Sequence, residues 1–402
     1  MNKSVLYFSV FLLAACSGRS GGHENSGTQE AKSVRGNVVW QTGSVIDLDK
    51  DSRPSIFEFV DSIQVVQLET DMRCLLGTFY NVLFYKNLYY IFDREQQTIL
   101  CFGQNGKFVR KVSDRGRGPQ EYEYLGNIAI DPYNEQLLLV VPFGSVLCFD
   151  LEGNFISKIT VPDAGAVNEV HVLDADRWLI TSLNIYQMLY FSKKEGQIVE
   201  RLYERGARTF RIIPLFRSYT YNDSIYFSPL LGSETLNMKD RNRRVAFSWD
   251  FGANNNKQGR VESLINELED LDNRQYPSGQ AKAYESERLI NSYLNHNLLF
   301  TREWSRYRMA TLDYKSDQID VLYDKQEHKT AVFRETIEGV RWDTPYFMYN
   351  QDMIIVPVYD VNETTWKSNT KELFSPKQLK IVEAHKPETD NPFLVIYHLK
   401  KQ

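Results

Sequence analysis

Apolar and polar residues alternate along most of this chain in short runs that are separated by turn-forming residues. The runs ILCFGQNGKFVRKV at 99–112 and VLCFDLEGNFISKI at 146–159 align without gaps, and MLYFSKKEGQIVERLY at 188–203 follows the same pattern with one extra residue. Alternation with a period of two is typical of half-buried strands. Each run holds a glycine, at Gly106, Gly153 and Gly196, that supplies the positive φ of a tight hairpin turn. The pattern predicts three β-hairpins.

A second pair of strands precedes each hairpin, which gives units of four strands. In the second unit the strands read LGNIAID, QLLLVVP, VLCFDL and FISKITV. Successive units begin near Leu76, Leu125, Val167, Phe216, Asn291 and Arg341. Four-stranded units at this spacing are typical of propeller blades. The sequence predicts an all-β fold, a six-bladed β-propeller with four-stranded blades.

The last unit is one strand short, because the chain ends after MIIVPVYD and FLVIYHLKK. The run SIQVVQLET, from Ser62 to Thr70, precedes the first blade and has the right alternation to be the missing strand. Pairing it with the last blade would remove an open sheet edge. We therefore predict a ring closed by an N-terminal strand.

Two insertions interrupt the strand pattern. Between blades four and five, apolar residues recur at helical spacing from Val261 to Leu271 and again from Tyr284 to Leu294. This predicts a helical insertion at about 258–296. The other insertion, Val361 to Thr389, contains KELFSPKQLKIVEA and is predicted to be partly helical. Both insertions are interpreted as peripheral packing or, alternatively, as carriers of function.

The N-terminus is typical of an exported bacterial lipoprotein. A positively charged start precedes the apolar run Val5 to Leu13 and the motif Leu13-Ala14-Ala15-Cys16. We predict that 1–15 is a signal peptide and that Cys16 is lipidated and anchors the protein to a membrane, although a buried cysteine is the alternative. Residues 16–37 then form a flexible tether, because they are rich in Gly, Ser and Asn, and 38–402 form the propeller.

Composition narrows the classes of partner. Removing the signal peptide removes one lysine, so the mature net charge is (47 − 1) − 52 = −6, which argues against nucleic acid. The other cysteines, Cys74, Cys101 and Cys148, are odd in number and lack CxxC spacing. We predict that they are buried apolar residues rather than metal ligands, and we predict no cofactor and no metal site.

The opening of the propeller region resembles a known family. The stretch SIQVVQLETDMRCLLGTFYNVLFYKNLYYIFDREQQTILCFGQNGKFVRKVSDRGRGPQEYEYLGNIAID and the ending DNPFLVIYHLKK look like the six-bladed β-propeller lipoproteins of Bacteroidota. The family shows a G-x-G-P-x-E-Y string after the first blade, which is present here at 116–122. The resemblance implies the six-bladed propeller fold and a location in the cell envelope. The family has no settled reaction, so no catalytic residue is carried over.

The string itself has two readings. No Gly-Lys-Ser/Thr ending and no helix follow it, so it is neither a P-loop nor a dinucleotide fingerprint. We interpret it as the connection between blades one and two. In this interpretation Gly116 and Gly118 adopt backbone conformations that other residues rarely adopt, and Pro119 stiffens the turn. Glu121 accepts hydrogen bonds that hold the loop in place. In the alternative reading, its arginines reach into the central mouth of the propeller.

The residues favoured for ligand binding form a predicted cationic and aromatic rim at one mouth of the axis. The paired N–H donors of arginine guanidinium groups, together with the flat faces of aromatic rings, are suited to binding sugars and peptide carboxylates. The alternative is that the arginines pair with neighbouring acids and the tryptophans pack between blades. The rim residues are Arg115, Arg117, Trp304, Arg306, Arg308, Tyr359 and Trp366.

Other chemistry has weaker support in the sequence. Asp47, Asp49, Asp51 and Glu58 have the spacing of a calcium loop, but Ser52 replaces its glycine and no helix precedes it. Calcium is therefore only an alternative to a strand end. No G-x-S-x-G or HExxH motif occurs, and no catalytic residue is predicted.

Two classes of function remain open. The favoured one is a non-catalytic lipoprotein of the cell envelope, anchored to the outer membrane, that binds a glycan, a peptide or an outer-membrane protein partner at one propeller face or acts as a scaffold. The alternative is a glycan-active enzyme, a lyase or hydrolase, with its site at the propeller axis. The sequence leaves open whether the protein faces the periplasm or the cell surface.

Overall fold

The computed structural model describes residues 41–112, 115–118, 120–182, 186–204, 218–229, 232–240, 242–341, 348–350, 352–360 and 373–401. These residues form six antiparallel sheets. Each sheet is one blade; five of these sheets have four strands and one has five, and neighbouring strands lie side by side in the order of a meander, which confirms the predicted six-bladed propeller. The predicted signal peptide and tether, 1–37, lie outside the described residues.

Four blades are continuous in sequence. Blade one contains β3 (Phe79–Tyr85), β4 (Leu88–Asp93), β5 (Thr98–Gly103) and β6 (Phe108–Lys111); blade two contains β7 (Asn127–Asp131), β8 (Gln136–Val141), β9 (Ser145–Asp150) and β10 (Phe155–Thr160); blade three contains β11 (Val167–Val172), β12 (Arg177–Ser182), β13 (Tyr186–Ser192) and β14 (Gln197–Glu204); and blade four contains β15 (Ser218–Tyr221), β16 (Ser224–Phe227), β17 (Glu234–Asn237) and β18 (Val245–Ser248).

The other two blades each include a strand from the start of the propeller region. Blade five contains β19 (His296–Glu303), β20 (Tyr307–Tyr314), β21 (Asp317–Asp324), β22 (Lys329–Phe333) and an additional strand, β1 (Gln41–Thr42); blade six contains β23 (Met348–Asn350), β24 (Met353–Val358), β25 (Phe393–Leu399) and β2 (Val60–Gln67).

The first strand of each blade lies nearest the axis. Neighbouring first strands contact each other, as β3 does with β7 and β23, and β15 does with β19. The blades pack face to face through apolar side chains, so the core is divided into layers between blades. Cys101, for example, packs with Leu137 and Leu147 of the next blade. In blades one and two these layers bury most residues of the second and third strands, whereas the fourth strands, β6 and β10, alternate between partly buried and exposed residues.

Blade six combines the two ends of the propeller region. β2 pairs antiparallel with β25 over its whole length, from Val60 opposite Leu399 to Gln67 opposite Phe393. The short helix α3 (Pro376–Ala384) packs beside β2, where Gln378 Nε2 donates to the Ile63 carbonyl. The outermost strand of this blade is therefore covered rather than left as an open edge.

Blade five departs from the four-stranded prediction. β1 pairs with β22, and the segment after it places Ile46 and Leu48 in the same apolar layer as Val332. The fourth strand of this blade, β22, is consequently buried at four of its five residues. The sequence did not reveal this covering segment, because two residues carry no periodic signal.

The helical insertion and the hairpin turns follow the sequence expectation. α1 (Gln258–Asn273) and α2 (Gly279–Tyr293) separate blades four and five, and Ser278 caps α2 by accepting from the Ala281 amide. Gly106, Gly153 and Gly196 have φ values of 77°, 92° and 65°, as the predicted turns require. The second insertion is helical at α3, which confirms the prediction of a partly helical segment.

Candidate binding face

The two ends of the propeller differ in the length of their connections. We call the end at which the first strands begin the loop face and the end at which they finish the turn face. On the turn face, first and second strands of blades one to five are joined by two to four residues, at 86–87, 132–135, 173–176, 222–223 and 304–306. The loop face carries the connections 68–78, 161–166 and 249–295 and the described parts of three others, at 115–118 and 120–126, at 334–341, and at 359–360 and 373–392. It also carries the short connections 94–97, 142–144 and 315–316 between second and third strands.

The loop after blade one is held by its own glutamate. Glu121 Oε2 accepts from the Gly118 amide at 2.7 Å, the Gly116 amide donates to the Tyr122 carbonyl, and the buried Tyr122 hydroxyl donates to the Gln97 carbonyl. Neither glycine has a positive φ, so the prediction that Gly116 and Gly118 adopt backbone conformations unavailable to other residues is wrong. A Cβ at Gly116 would lie 1.9 Å from Glu121 Oε2, so a larger residue there would displace the carboxylate that binds the Gly118 amide. Pro119 lies outside the described residues.

The two arginines of this loop lie on the loop face and contact the loop itself. Arg115 Nε donates to the Glu123 carbonyl at 2.9 Å, and Arg117 Nε donates to Glu123 Oε1 at 2.5 Å. The Arg117 side chain is 88% exposed, so its pairing with Glu123 leaves most of the guanidinium open to solvent. Of the predicted rim residues, these two stay accessible to a ligand on this face.

The residues from EWSRYR lie at the opposite end. Trp304 and Arg306 occupy the turn between β19 and β20, so the prediction that they share a rim with Arg115 and Arg117 is wrong. Trp304 is 2% exposed and packs in the core between blades five and six, where it offers no open ring face. The error arose because β19 begins directly after α2, which places this segment in a turn within the blade.

The arginines of this segment are engaged with acids of the same blade. Arg306 binds both carboxylate oxygens of Asp324, and its Nη2 lies 2.7 Å from Asp324 Oδ2. Arg308 Nη2 donates to Glu303 Oε1 at 3.0 Å, and its guanidinium lies over the Phe247 ring. These contacts match the alternative in which the arginines pair with neighbouring acids.

Tyr359 lies on the loop face but has a structural contact. Its hydroxyl accepts from the Phe79 amide at 2.6 Å, and its ring packs edge-on against the Phe79 ring, so it joins blade six to blade one. Trp366 lies outside the described residues. The structure thus brings Arg115, Arg117 and Tyr359 to one face and places the EWSRYR residues on the other.

A buried polar cluster lies among the inner strands of blades three to five. Ser218 Oγ donates to Glu169 Oε2 at 2.9 Å, and His171 Nε2 lies 2.7 Å from Ser218 Oγ and 3.4 Å from the same glutamate oxygen. Burial raises the pKa of Glu169, but His171, Ser218 and the charge of Arg302 outweigh it and hold this pKa below its usual value. The cluster joins blade three to blade four.

The geometry of this cluster does not suit a nucleophilic serine. A catalytic histidine takes the serine proton on one ring nitrogen, while a carboxylate binds its other nitrogen. Here Ser218 and Glu169 both contact Nε2 of His171. The arrangement is that of a satisfied buried hydrogen-bond network.

A small pocket lies on the loop face between α2 and blade five, and sequence reasoning missed it. Its volume is about 250 Å³. Asn297 and Asp313 face each other across β19 and β20 within it. The signal was present as the asparagine-rich stretches GANNNKQ and NSYLNHN at the two ends of the helical insertion. The lining residues are Asn254, Asn291, Leu294, Asn295, His296, Asn297, Asp313, Tyr314, Lys315 and Ser316.

The acids of the calcium-like segment contact cations of blade five. Asp49 Oδ1 accepts from Lys315 Nζ and from the Tyr314 hydroxyl, and Asp51 Oδ2 lies 3.7 Å from Arg334. Among the described residues, no group of three or more His, Cys, Asp or Glu side chains is arranged to hold a metal ion. These contacts give the calcium alternative no support.

The three cysteines of the propeller are free thiols. Cys74, Cys101 and Cys148 are all buried, as predicted. Burial raises the pKa of the Cys101 thiol to about 12, so this side chain stays protonated and unreactive at neutral pH.

Six radial sheets with their first strands innermost define a six-bladed β-propeller. The chain belongs to the family described as a domain of unknown function, DUF4934, whose model matches residues 43–398. No curated protein matches the sequence. None of the described helices is both long and apolar enough to cross a membrane.

Two solved structures from Bacteroides are similar in fold. One is a protein of Bacteroides fragilis described as a candidate exported protein, with 15% identity, a TM-score of 0.69, and coverage of 88% of this chain and 98% of that chain. The other is a member of the DUF4221 family from Bacteroides vulgatus, with 9% identity, a TM-score of 0.50, and coverage of 85% and 98%. At these identities the likeness shows the fold alone.

Proposed function

We propose that this protein is a non-catalytic binding propeller of the cell envelope that holds its ligand at the loop face. The main observation that supports this proposal is that the longest connections between strands lie on the loop face. A segment as long as 249–295, with its two helices, leaves from the loop face, and α3 lies in another connection of this face, whereas the first and second strands are joined by two to four residues at the turn face. Long connections on a rigid scaffold are where binding residues concentrate.

Exposed apolar side chains on the loop face support this proposal. Met72 and Phe143 are 89% and 87% exposed, and Tyr124 is also exposed. All three lie in connections on this face: Tyr124 in the loop that holds Arg117, Met72 between β2 and β3, and Phe143 between β8 and β9. Exposed apolar side chains and an exposed guanidinium on the same face suit a glycan or a peptide.

The envelope location rests on two further observations. The sequence carries the lipoprotein signal that ends at Cys16, and the similar Bacteroides fragilis protein is described as a candidate exported protein. We propose that Cys16 anchors the chain to the outer membrane and that the propeller binds a glycan, a peptide or a membrane protein there. A glycan-active enzyme has less support: glycosidases use a pair of carboxyl groups at the scissile bond, whereas the buried Glu169 is engaged by Ser218 and His171.

Footprinting would test the face. The full-length protein is first screened on glycan and peptide arrays, and the strongest hit is then added during hydroxyl-radical labelling. Tyr124 on the loop face and Tyr133 on the turn face form a matched pair of reporters, since they are 43% and 46% exposed. We expect the hit to lower the labelling of Met72, Tyr124, Phe143 or Tyr284 and to leave Tyr133 unchanged. Protection of Tyr133 alone, or no hit for the folded protein, would overturn the proposal.

A further inference from the structure

The pocket between α2 and blade five has the size and lining of a site for one small polar group. Its volume of about 250 Å³ lies below the roughly 300–1,000 Å³ of pockets for drug-sized ligands. Four of its ten lining residues are asparagines, and Asn291 is exposed on the last turn of α2. An extended chain would not fit inside it, but a single ring would.

The walls of this pocket are fixed before any ligand arrives. Asn256 Oδ1 accepts from the Asn295 amide at 2.8 Å, and Asn256 Nδ2 donates to the His296 carbonyl at 2.8 Å. His296 Nδ1 donates to the Asn254 carbonyl at 2.8 Å, in keeping with burial that lowers the pKa of His296 and favours the neutral ring. A preformed site costs little ordering entropy on binding.

One carboxyl group is kept in the pocket at a cost to stability. Burial raises the pKa of Asp313 to about 6, against a smaller opposite effect of its hydrogen bond with Asn297, and the charge of Glu287 on α2 adds to the rise. A poorly solvated carboxylate that lacks a cationic partner destabilises the fold. Such a group in a cleft is typical of a functional site.

The cation in the lining is already engaged. Lys315 Nζ binds Asp49 Oδ1 at 2.5 Å, and Tyr314 donates to the same oxygen at 3.0 Å. An anionic ligand would therefore be repelled by the carboxylate of Asp313, because the positive charge of Lys315 is already paired with Asp49. Asparagine amides each offer a donor and an acceptor, which is the pairing that neighbouring hydroxyl groups require.

We infer that this pocket binds one neutral sugar ring, whose hydroxyl groups donate to the carboxylate of Asp313 and pair with the amide of Asn291. The inference rests on the proposed function and names the ligand class of one subsite on the loop face. The carboxylate strengthens the hydrogen bonds, because bonds to a charged acceptor are roughly twice as strong as neutral ones.

Calorimetric titration of the full-length protein would test this inference. The probes are glucose, galactose, mannose and N-acetylglucosamine, with glucuronate as the anionic comparison, and the neutral oligosaccharides that bind on the array. We expect at least one neutral sugar to bind, and Asn291→Ala and Asp313→Asn each to weaken it by tenfold or more. Asp223→Asn is the matched control on the turn face and should bind like the wild type.

The pH dependence provides an independent readout. The ionised carboxylate accepts hydrogen bonds better than the protonated acid, so wild-type affinity should rise several-fold between pH 5 and pH 7.5. The groups facing Asp313 are Asn297, Glu287, His296 and Lys315. In Asp313→Asn the same pH change should leave the affinity nearly constant.

The outcomes separate this inference from the proposed function. Equal sugar affinity in the wild type, Asn291→Ala and Asp313→Asn would overturn the pocket while leaving the loop face as a binding surface. Binding of peptides only, preference for glucuronate, or an absolute need for Ca²⁺ would also overturn the neutral-sugar site. Absence of any ligand for the folded protein would overturn both.

Discussion

Glycines at equivalent hairpin turns meet different surroundings in this propeller. Gly106 and Gly196 both have a positive φ, but a Cβ at Gly106 would lie 2.0 Å from the Gln67 carbonyl oxygen, whereas a Cβ at Gly196 would meet nothing within 4 Å. The Gly106 carbonyl also accepts from the Glu69 amide at 2.8 Å, so this turn joins blade one to the end of β2. Gly106 is therefore needed both for its positive φ and for its small size, whereas Gly196 is needed only for its positive φ.

Alanine at these two glycines should separate the two requirements. Gly196→Ala pays only for the positive φ, about 1 kcal/mol. Gly106→Ala must in addition displace backbone, and we expect a loss of about 3 kcal/mol or more together with a clearly lower Tm. Thermal melts of both variants and the wild type would check this. Equal melting temperatures for the two variants would contradict the close approach of Gln67.

The buried carboxyl of Asp313 should make stability depend on pH. Its pKa of about 6 in the folded protein exceeds the ordinary aspartate value of 3.8, so the folded state binds the proton more tightly. Stability from this group is therefore full below about pH 4 and is lost as pH rises toward 6. We expect Asp313→Asn to raise the free energy of unfolding by about 1–2 kcal/mol at pH 7.5 and to change it little at pH 4.

Urea unfolding of the wild type and Asp313→Asn at both pH values would measure this difference. Asp223→Asn, an exposed aspartate in a turn, serves as the control and should show no such change with pH. A variant that is less stable than the wild type at pH 7.5 would show that Asp313 is stabilising in its ionised form.

The helical insertion is an element with its own small core. Leu264, Leu268 and Leu294 form a buried cluster together with partly buried residues of the same insertion, and Arg260 on α1 donates to the Ser292 carbonyl. Its two ends meet where Asn256 accepts from the Asn295 amide. The two ends of the insertion are thus held together beside the start of β19.

Excision of the insertion should leave the propeller folded. Replacing 258–293 by a short Gly-Ser link is geometrically allowed because the two ends are hydrogen-bonded to each other. We expect one cooperative melt within a few degrees of the wild type. We also expect loss of the sugar affinity, since Asn291 is removed. Circular dichroism and calorimetry would check the two parts, and an unfolded product would show that the helices are needed for the fold.

At the scale of the whole molecule, the ring depends on a pair of strands far apart in sequence. β2 and β25 pair along their full lengths, and Val65 and Val66 of β2 face Val395 and Leu394. The two valines contribute to different apolar layers, one toward blade five and one toward blade one. Removing this strand would open a sheet edge and expose both layers.

Deletion of Ser62 to Thr70 tests ring closure. We expect aggregation or a large fall in Tm, because a row of ladder hydrogen bonds and two buried apolar surfaces are lost. Deletion of 17–33 in the predicted tether is the control and should melt like the wild type. An unchanged melt after the first deletion would show that β2 does not close the ring.

Membrane attachment is predicted to depend on one residue. Cys16→Ala removes the thiol that would be acylated, and the propeller is acidic and carries no other predicted anchor. We expect the wild type to partition into the detergent phase and the variant to remain in the aqueous phase. Recovery of the variant in the detergent phase would refute the anchor.

The sequence by itself determined the blade number, the hairpin turns, the helical insertion and the burial of the three cysteines. These features are local or periodic: alternation with a period of two, turn glycines and helical spacing are each set by neighbouring residues. The sequence also predicted that β2 is a strand, because its alternation of apolar and polar residues resembles that of the other outer strands. The extra strand β1 was not, since two residues show no period.

Only the tertiary structure decided which residues share a face. Whether Trp304 lies in a turn within a blade or in a connection between blades depends on where β19 begins, and a shift of a few residues moves a side chain to the other end of the propeller. The pocket at Asn291 and Asp313 depends on how a helix packs beside a blade. Side-chain neighbours that are distant in sequence leave no periodic trace, which is why the candidate site required the fold.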